Sequence, residues 1–539
     1  MRRFGTQGRV YPDKHYVVAR AEETADFIDR IKDGRYIVLF APRQTGKTTF
    51  FRLALDALAI QDSTYFPIQL NFEEYEDYDP TNFYAALRRE ICKEIERVFQ
   101  KRETVPSDEL ARFLVNTEIT DHVSMREFFE EFAKYLSQGT HWQRVVLTVD
   151  EFDAIPRAAL KGFLRSLRYI YLSGQIRCPH SVGIVGVKGI AQLNYDRSIS
   201  PFNIQDEFHL PNFTLEEVQE LLGQYTDEVG QAFAPEVIAS IHKQTAGQPV
   251  LVNRFAQILT EEMDIPKTVT ITMAHWTTAH AQLLEESNVN ITHLTTNIRK
   301  DSRFESLLMR IMARDEGVVF NLDDDIINEL ATYGVIRKGA DDMCEILNPI
   351  YLYRIMRAFK PTVNGLEQEY FPEDTDDEGR EYLTPAGGID MASLLDNFRD
   401  FIARAGFRIL QVPDTPQESV GRHLLLAYLD EFVRRVGGVM HIEVQTGRGR
   451  MDLLITHNQR KYIVETKIWR GERRYQSGKQ QLAAYLKLEN VTDGYYVVFD
   501  HRQTPEPRIE TETLDGVAIR SYVIPVIQEA PSNTIDQKP

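Results

Sequence analysis

Short, continuous apolar runs alternate with stretches of helical periodicity through the first part of the chain. Runs at 36–40, 66–71, 145–149 and 182–187 have the length and content of strands buried on both faces. Between them, 82–99, 124–136 and 158–172 repeat apolar residues at helical spacing, and another helix follows Lys47. This alternation predicts an α/β fold on a parallel sheet. From Thr214 the strands stop: Leu215, Val218, Leu221 and Leu222, then Val237, Ile238 and Ile241, then residues 250–259, predict an all-helical lid.

The pattern changes twice more. Phe304, Leu307, Leu308 and Ile311 give one apolar helix face and 326–333 a second, and 335–337 with 345–347 reads as a short hairpin, so a small winged-helix-like module is expected. Its acidic Asp323, Asp324 and Asp325 favour packing over nucleic-acid contact. Residues 361–388 are polar, acidic and rich in Gly and Pro, as a linker is. A new unit follows, with amphipathic helices at 393–405 and 419–436, strands at 440–445, 451–456 and 462–467, a helix at 480–488 and a strand at 494–500. The tail after Gln528 reads as disordered.

With 539 residues, 43% of them hydrophobic, the chain can form several cores. No apolar run approaches the ~18 to 20 residues that span a bilayer, and the polar start lacks the apolar stretch of a signal peptide. A soluble, cytoplasmic protein without membrane contact is expected. Cys92, Cys178 and Cys344 are widely separated and lack neighbouring histidines at ligand spacing, which argues against a disulfide framework or a structural zinc site. The net charge of −18 excludes a protein that coats nucleic acid non-specifically, because such binding consists of neutralising phosphates. Nucleic-acid contact must be local, and Arg448, Arg450, Arg460, Lys461, Lys467, Arg470, Arg473, Arg474 and Lys479 crowd one late segment.

Two clusters carry chemistry. After the strand at 36–40 comes Ala41-Pro-Arg-Gln-Thr-Gly-Lys-Thr-Thr49, a tight loop opening a helix. A polyphosphate is held when loop N–H groups point inward, a helix presents its positive end and a lysine reaches the outer phosphates. Gly46 allows the close approach, Lys47 would neutralise the β and γ phosphates, and the Thr48 hydroxyl would sit on Mg²⁺, with Ala41, Gln44, Thr45 and Thr49 completing the loop. Ala41 replaces the first glycine of the usual G-x-x-x-x-G-K-[ST] pattern, at the base of the loop where a small residue serves. The strand at 145–149 ends in Asp150-Glu-Phe-Asp153, the Walker B arrangement. Asp150 would hold Mg²⁺ and Glu151 would act as general base on water, so ATP hydrolysis is expected.

The second cluster lies near the other end. On a strand, residues two apart face one side, so Glu465 and Lys467 project together, and Asp452 opens the neighbouring strand. Two carboxylates holding Mg²⁺ or Mn²⁺ beside a lysine can cleave a phosphodiester. A Glu-x-Lys pair alone is common on solvent-facing strands and usually inert; the nearby acid and the arginines change the odds.

The front of the chain, through about residue 300, resembles the AAA-like ATPases close to the STAND and archaeal ATPase groups in its Pro-Arg-Gln-Thr-Gly-Lys-Thr-Thr loop and Val-Asp-Glu-Phe-Asp strand end. Gly247-Gln-Pro249 resembles the Gly-x-Pro element of the STAND group, and satisfies a glycine helix cap before a proline-started helix equally well. Arg197 reads as an arginine finger of a homo-oligomer or as a plain surface arginine. The last unit resembles the PD-(D/E)XK nuclease superfamily through Asp452, Glu465-Thr-Lys467 and the helix bearing Gln481-Leu-Ala-Ala-Tyr485. That resemblance implies that Gln481 and Tyr485 flank the site, and that Glu418 is the additional helical acid of many members, unless it serves as a helix cap. The expected organisation is therefore a P-loop ATPase core (1–210), helical lid (211–300), winged-helix-like module (301–360), acidic linker (361–388), nuclease-like domain (389–527) and tail (528–539). The function implied is an ATP-dependent or ATP-regulated nuclease acting on nucleic acid, with DNA expected, in defence or DNA processing. Its rival is a nucleotide-gated switch whose last domain binds without cutting.

Overall fold

The computed structural model describes residues 1–6, 8, 10–41, 45–137, 143–173, 177–186, 206–286, 302–313, 318–358, 382–405, 417–446, 449–500, 502 and 504–525. They form two compact units: Met1–Glu228 with Gln248–Asn253 and Thr332–Gly334, and Val229–Gly247 with Arg254–Ala331 and Val335–Pro539.

The first unit is built on a five-stranded sheet of β1 (Tyr36–Phe40), β2 (Tyr65–Asn71), β3 (Arg144–Asp150), β4 (Ser181–Gly186) and β5 (Asp206–Phe208), in the order β2-β3-β4-β1-β5. Every pairing is parallel. Successive residues serve opposite cores, as a strand's period of two requires. Val38, Ile68, Leu147 and Ile184 join one cluster, under α3 (Pro80–Lys101), α4 (Asp108–Asn116), α5 (His122–Leu136) and α6 (Arg157–Leu172). Ile37, Leu39, Val146 and Val185 join the other, against α1 (Ala21–Lys32) and α2 (Lys47–Gln61). Burial on both faces explains why these strands read as unbroken apolar runs. The order inserts β4 between β1, which leads into the lysine-bearing loop, and β3, which ends in the paired acids. Helix α7 (Leu215–Val229) follows β5.

Helix α8 (Pro235–Thr245) ends on Ala246 and Gly247, both with positive φ, and the Gly247 N–H returns to the His242 carbonyl at 3.2 Å. Helix α9 (Pro249–Gln257) then begins at a proline. The local geometry is thus a helix cap and restart.

The second unit carries α10 (Met273–Glu285), α11 (Ser302–Ala313), α12 (Asp325–Thr332), the antiparallel pair β6 (Ile336–Lys338) and β7 (Cys344–Ile346), and α13 (Pro349–Ala358). The expected hairpin is present. Next come α14 (Met391–Ala405), α15 (Gln417–Arg435), β8 (Val439–Thr446), β9 (Gly449–His457), β10 (Arg460–Ile468), α16 (Glu472–Leu488), β11 (Asp493–Asp500), β12 (Arg508–Leu514) and β13 (Val517–Pro525). The last six strands form one sheet in the order β12-β13-β11-β10-β9-β8. It is mixed: β10, β11 and β13 run parallel, and the remaining pairings are antiparallel.

Of the helices expected as lid, α7 belongs to the first unit, while α8 and α10 fall in this second unit with most of the expected winged-helix module. Tyr353 on α13 donates a 2.8 Å hydrogen bond to Asp430 of α15, a fully buried carboxylate that also takes Arg434 at 3.1 Å. Arg354 caps the carbonyls of Leu284 and Glu286 at 2.8 and 2.7 Å, satisfying the end of α10. His280 of α10 meets His441 of β8, Nδ1 to Nδ1, at 2.7 Å in full burial, with Trp276 stacked on His280. Most of the expected linker and the whole expected tail lie outside the described residues. Among the described residues no helix is long and apolar enough to cross a membrane.

Candidate functional site

The phosphate-loop residues Ala41, Thr45, Gly46, Lys47, Thr48 and Thr49 gather where β1 gives way to α2. Gly46 takes φ 85°, a left-handed turn that admits the loop, and as a glycine it has no side chain with which to cap the helix it precedes. Uncapped N–H groups at a helix start suit an anion. The Lys47 ammonium is buried and donates to the Ala41 carbonyl at 2.7 Å, spanning the loop from within. Thr48 donates its hydroxyl to Asp150 Oδ2 at 2.7 Å, so the two groups suited to one Mg²⁺ already meet. Burial raises the Asp150 carboxyl above the usual carboxylate range, against the Thr48 hydrogen bond and the Arg52 and Lys47 charges. Glu151 follows in the left-handed region at φ 49°, an uncommon conformation for a non-glycine residue and one that collects at functional sites. Gln44 and Arg197 lie outside the described residues.

The second cluster is also assembled. Strands β9 and β10 pair in antiparallel register from Arg460–His457 up to Val464–Leu453, and there the ladder ends. Beyond it, side chains replace backbone: the Asp452 N–H donates to Glu465 Oε2 at 3.2 Å, and the Thr466 N–H and hydroxyl both donate to Asp452 Oδ2 at 2.9 Å. Lys467 Nζ lies 2.6 Å from Glu465 and 3.6 Å from Asp452, so acid, acid and lysine converge. Burial, then the Asp452 charge, push the Glu465 carboxyl up to about 7. For Asp452, burial is outweighed by the Arg422 and Lys467 charges and the Thr466 hydrogen bonds, and the carboxyl stays below the usual range. Burial works against the Lys467 ammonium too, but the two carboxylates outweigh it and raise its pKa. Among the described residues no three His, Cys, Asp or Glu side chains form a metal cage. Two carboxylates fit Mg²⁺, which is often held by one or two protein acids with water and substrate phosphate filling the other positions.

Gln481, exposed on α16, donates to the Tyr485 hydroxyl at 2.7 Å, and Tyr485 is buried in the sheet-to-helix core. The backbone of Glu418 lies in α15, but its side chain, like that of Arg450 and the whole of Arg448, lies outside the described residues. One turn along α15, Arg422 approaches Asp452 to 4.0 Å. It stands four residues after Glu418 along the helix, where no local motif marks it. Thr466 stands inside the Glu465–Lys467 triplet, where the motif assigns it no role. Tyr496, opposite Glu465 across β10 and β11, had no local signal. Neither had Glu443, a buried acid at φ 56° on β8, set between Ile442 and Val444, which pair with Leu453 and Met451 and so frame Asp452.

No curated protein matches the chain. Among solved structures it is similar to the Walker-type ATPase PABY2304 of Pyrococcus abyssi (15% identity, 65% of this chain and 99% of that one, TM-score 0.46). It is also similar to the ORC1 protein of Aeropyrum pernix, solved in complex with DNA (14%, 63% and 93%, TM-score 0.33). A third is the RuvB Holliday junction branch migration motor of Thermotoga maritima (12%, 60% and 91%, TM-score 0.31). Residues 390–503 match a domain of unknown function, DUF8371. Residues 6–354 match the AAA-like domain model, the greater part of the chain, and together with the parallel sheet and its phosphate loop this places the protein in the AAA-like ATPase family.

Proposed function

We propose that this AAA-like ATPase is an ATP-dependent or ATP-regulated nuclease, with a metal-dependent phosphodiesterase site in residues 389–527 that acts on DNA. The observation that carries the reading is the convergence of Asp452, Glu465 and Lys467 where β9 and β10 part. A bound Mg²⁺ or Mn²⁺ would supply Lewis acidity and a water of lowered pKa. Asp452 and Glu465 would hold that ion, Lys467 would orient the water and stabilise the charge gathering on the phosphate, and Thr466 and Arg422 would fix the Asp452 carboxylate. Gln481 and Glu418 are assigned to substrate placement and to an additional acid on the resemblance alone. In the first unit, Lys47 would neutralise the nucleotide's outer phosphates, Thr48 and Asp150 would hold its Mg²⁺, and Glu151 would take the proton from the attacking water.

Purified protein with Mg²⁺ or Mn²⁺ should cut plasmid or single-stranded DNA, while Asp452→Ala and Lys467→Ala should not. The Lys47→Ala variant, run alongside with and without ATP, reports whether the nucleotide controls cutting. A nucleotide-gated switch is the second reading. It is favoured by the 2.6 Å Lys467–Glu465 pair, since an acid and a lysine that neutralise each other also describe an inert ion pair. Absence of cutting by the unmodified protein under every nucleotide and metal condition would select it.

A further inference from the structure

Beside the acid pair opens a cleft of about 200 Å³, lined by Lys467, Trp469, Arg470, Arg474, Tyr475 and Tyr496 with two aliphatic side chains. Strand register explains its position. Glu465 pairs with Tyr496 and Lys467 with Val498, so these four share one face of the sheet, and the cleft floor continues directly from the acids. The first turn of α16, with Arg474 and Tyr475, forms a wall. It sits close because residue 478 is glycine: a Cβ there would lie 2.0 Å from the Tyr496 hydroxyl oxygen.

The lining differs in what it offers. Tyr475 commits its hydroxyl to Ser521 and Glu510, at 2.8 and 3.0 Å, so only its ring is available. Tyr496 is 1% exposed, and its hydroxyl has no hydrogen-bond partner among the described residues. Burial raises its pKa, so it remains a neutral donor. The Trp469 indole is gripped by Arg502 and Arg508 at 4.7 and 5.1 Å, whose own charges pair with Asp500 and Glu472. Arg474 is exposed at the rim and makes no ion pair among the described residues.

Resting on the nuclease reading above, we propose that this cleft receives an unpaired nucleotide of the substrate strand next to the scissile phosphate, so that the enzyme acts on single-stranded, gapped or frayed DNA in preference to intact duplex. Its volume falls below the ~300 to 1,000 Å³ of sites that enclose drug-sized ligands, which suits one base and not a base pair with two backbones. Aromatic rings and a lone donor hydroxyl are useful to a base whose face and edge are free, and in a duplex both are hidden. Arg470 and Arg474 at the rim suit the flanking phosphates, which matters in a chain of net charge −18 where cationic surface must be local.

The test uses the full chain and a labelled DNA oligonucleotide, presented alone, annealed to its full complement, and as the matching RNA strand. Binding is read by fluorescence anisotropy with Ca²⁺, and cutting with Mg²⁺ or Mn²⁺. Single-stranded DNA should bind at least about tenfold more tightly than duplex. Arg474→Ala and Tyr496→Phe should each erode that preference severalfold, single-strand binding falling more than duplex binding in both. Comparable binding of the RNA strand also supports the proposal, since the unpaired base is what the cleft reads. Equal affinity for single strand and duplex, or a preference indifferent to both substitutions, overturns it. Failure of the nuclease reading looks different: a strand preference in binding that persists with no cutting by the unmodified protein leaves the cleft and removes the nuclease. Cutting of duplex and single strand alike does the reverse.

Discussion

At the scale of single residues, both sites depend on charges held close together in partial burial, where each group's charge is set by its neighbours. Lys47 is held to the Ala41 carbonyl inside its loop, and Asp150 is held against the Thr48 hydroxyl. Replacing Lys47 by Ala should lower ATP turnover at least about a hundredfold without loss of fold; phosphate-release assays beside circular dichroism check this. In the second site Arg422 is the residue whose effect separates position from chemistry. Its charge lies 4.0 Å from Asp452. On the proposed nuclease reading, Arg422→Gln should slow single-turnover cleavage about tenfold, with Arg422→Lys recovering part of the loss; full activity in Arg422→Gln would remove the residue from the site. The residues that each cluster brings together were legible as neighbours: Thr48 with Asp150, and Asp452 with Glu465 and Lys467, all stand at motif spacing. Arg422, Thr466 and Tyr496 were not, because what places them there are contacts between α15, β9, β10 and β11 that no sequence window contains.

At the scale of elements, close helix-to-sheet approach is written into two glycines. A Cβ at Gly478 of α16 would meet the Tyr496 hydroxyl, and one at Gly421 of α15 would lie 2.6 Å from the Phe499 ring. Gly478→Ala should lower the stability of the second unit by roughly 1 to 3 kcal/mol, the usual penalty for overpacking, even though alanine favours a helix. A urea midpoint equal to that of the unmodified protein would refute the close packing. Most strands and helices were readable because their apolar period is strong. Strands β12 and β13 were not assigned from sequence. In β12, Arg508, Glu510 and Glu512 alternate with Ile509, Thr511 and Thr513 just after the prolines at 505 and 507, which resembles a loop. As an edge strand it needs little apolar content, and it places Glu510 and Glu512 against the buried Lys479 of α16.

At the scale of the whole molecule, the second unit is joined through buried polar groups, and these make its stability depend on pH. Burial depresses the His441 pKa from its ordinary 6.5 to about 4, and burial together with His441 holds His280 well below its ordinary value. The unfolded chain therefore binds protons that the folded chain refuses between about pH 6.5 and 4. Stability is fully present above pH 6.5 and declines as pH falls through that window, by about 3 kcal/mol from His441 alone at the lower end. Thermal unfolding at a series of pH values checks it: His441→Phe should flatten the decline, and an unchanged slope would exclude the pair as its source. What the sequence determined by itself is the set of local devices: strand, tight loop and helix around Lys47, the strand ending in Asp150 and Glu151, and the short β-turn-β that aligns Asp452 with Glu465. Each is fixed by neighbours along the chain, through backbone conformation and side-chain period. Only the tertiary structure decided that α10 and α13 join the C-terminal sheet, that Arg422 faces Asp452, and that Tyr496 floors a cleft beside Lys467. Those placements follow from strand order and helix packing, which depend on the burial of surfaces far apart in sequence.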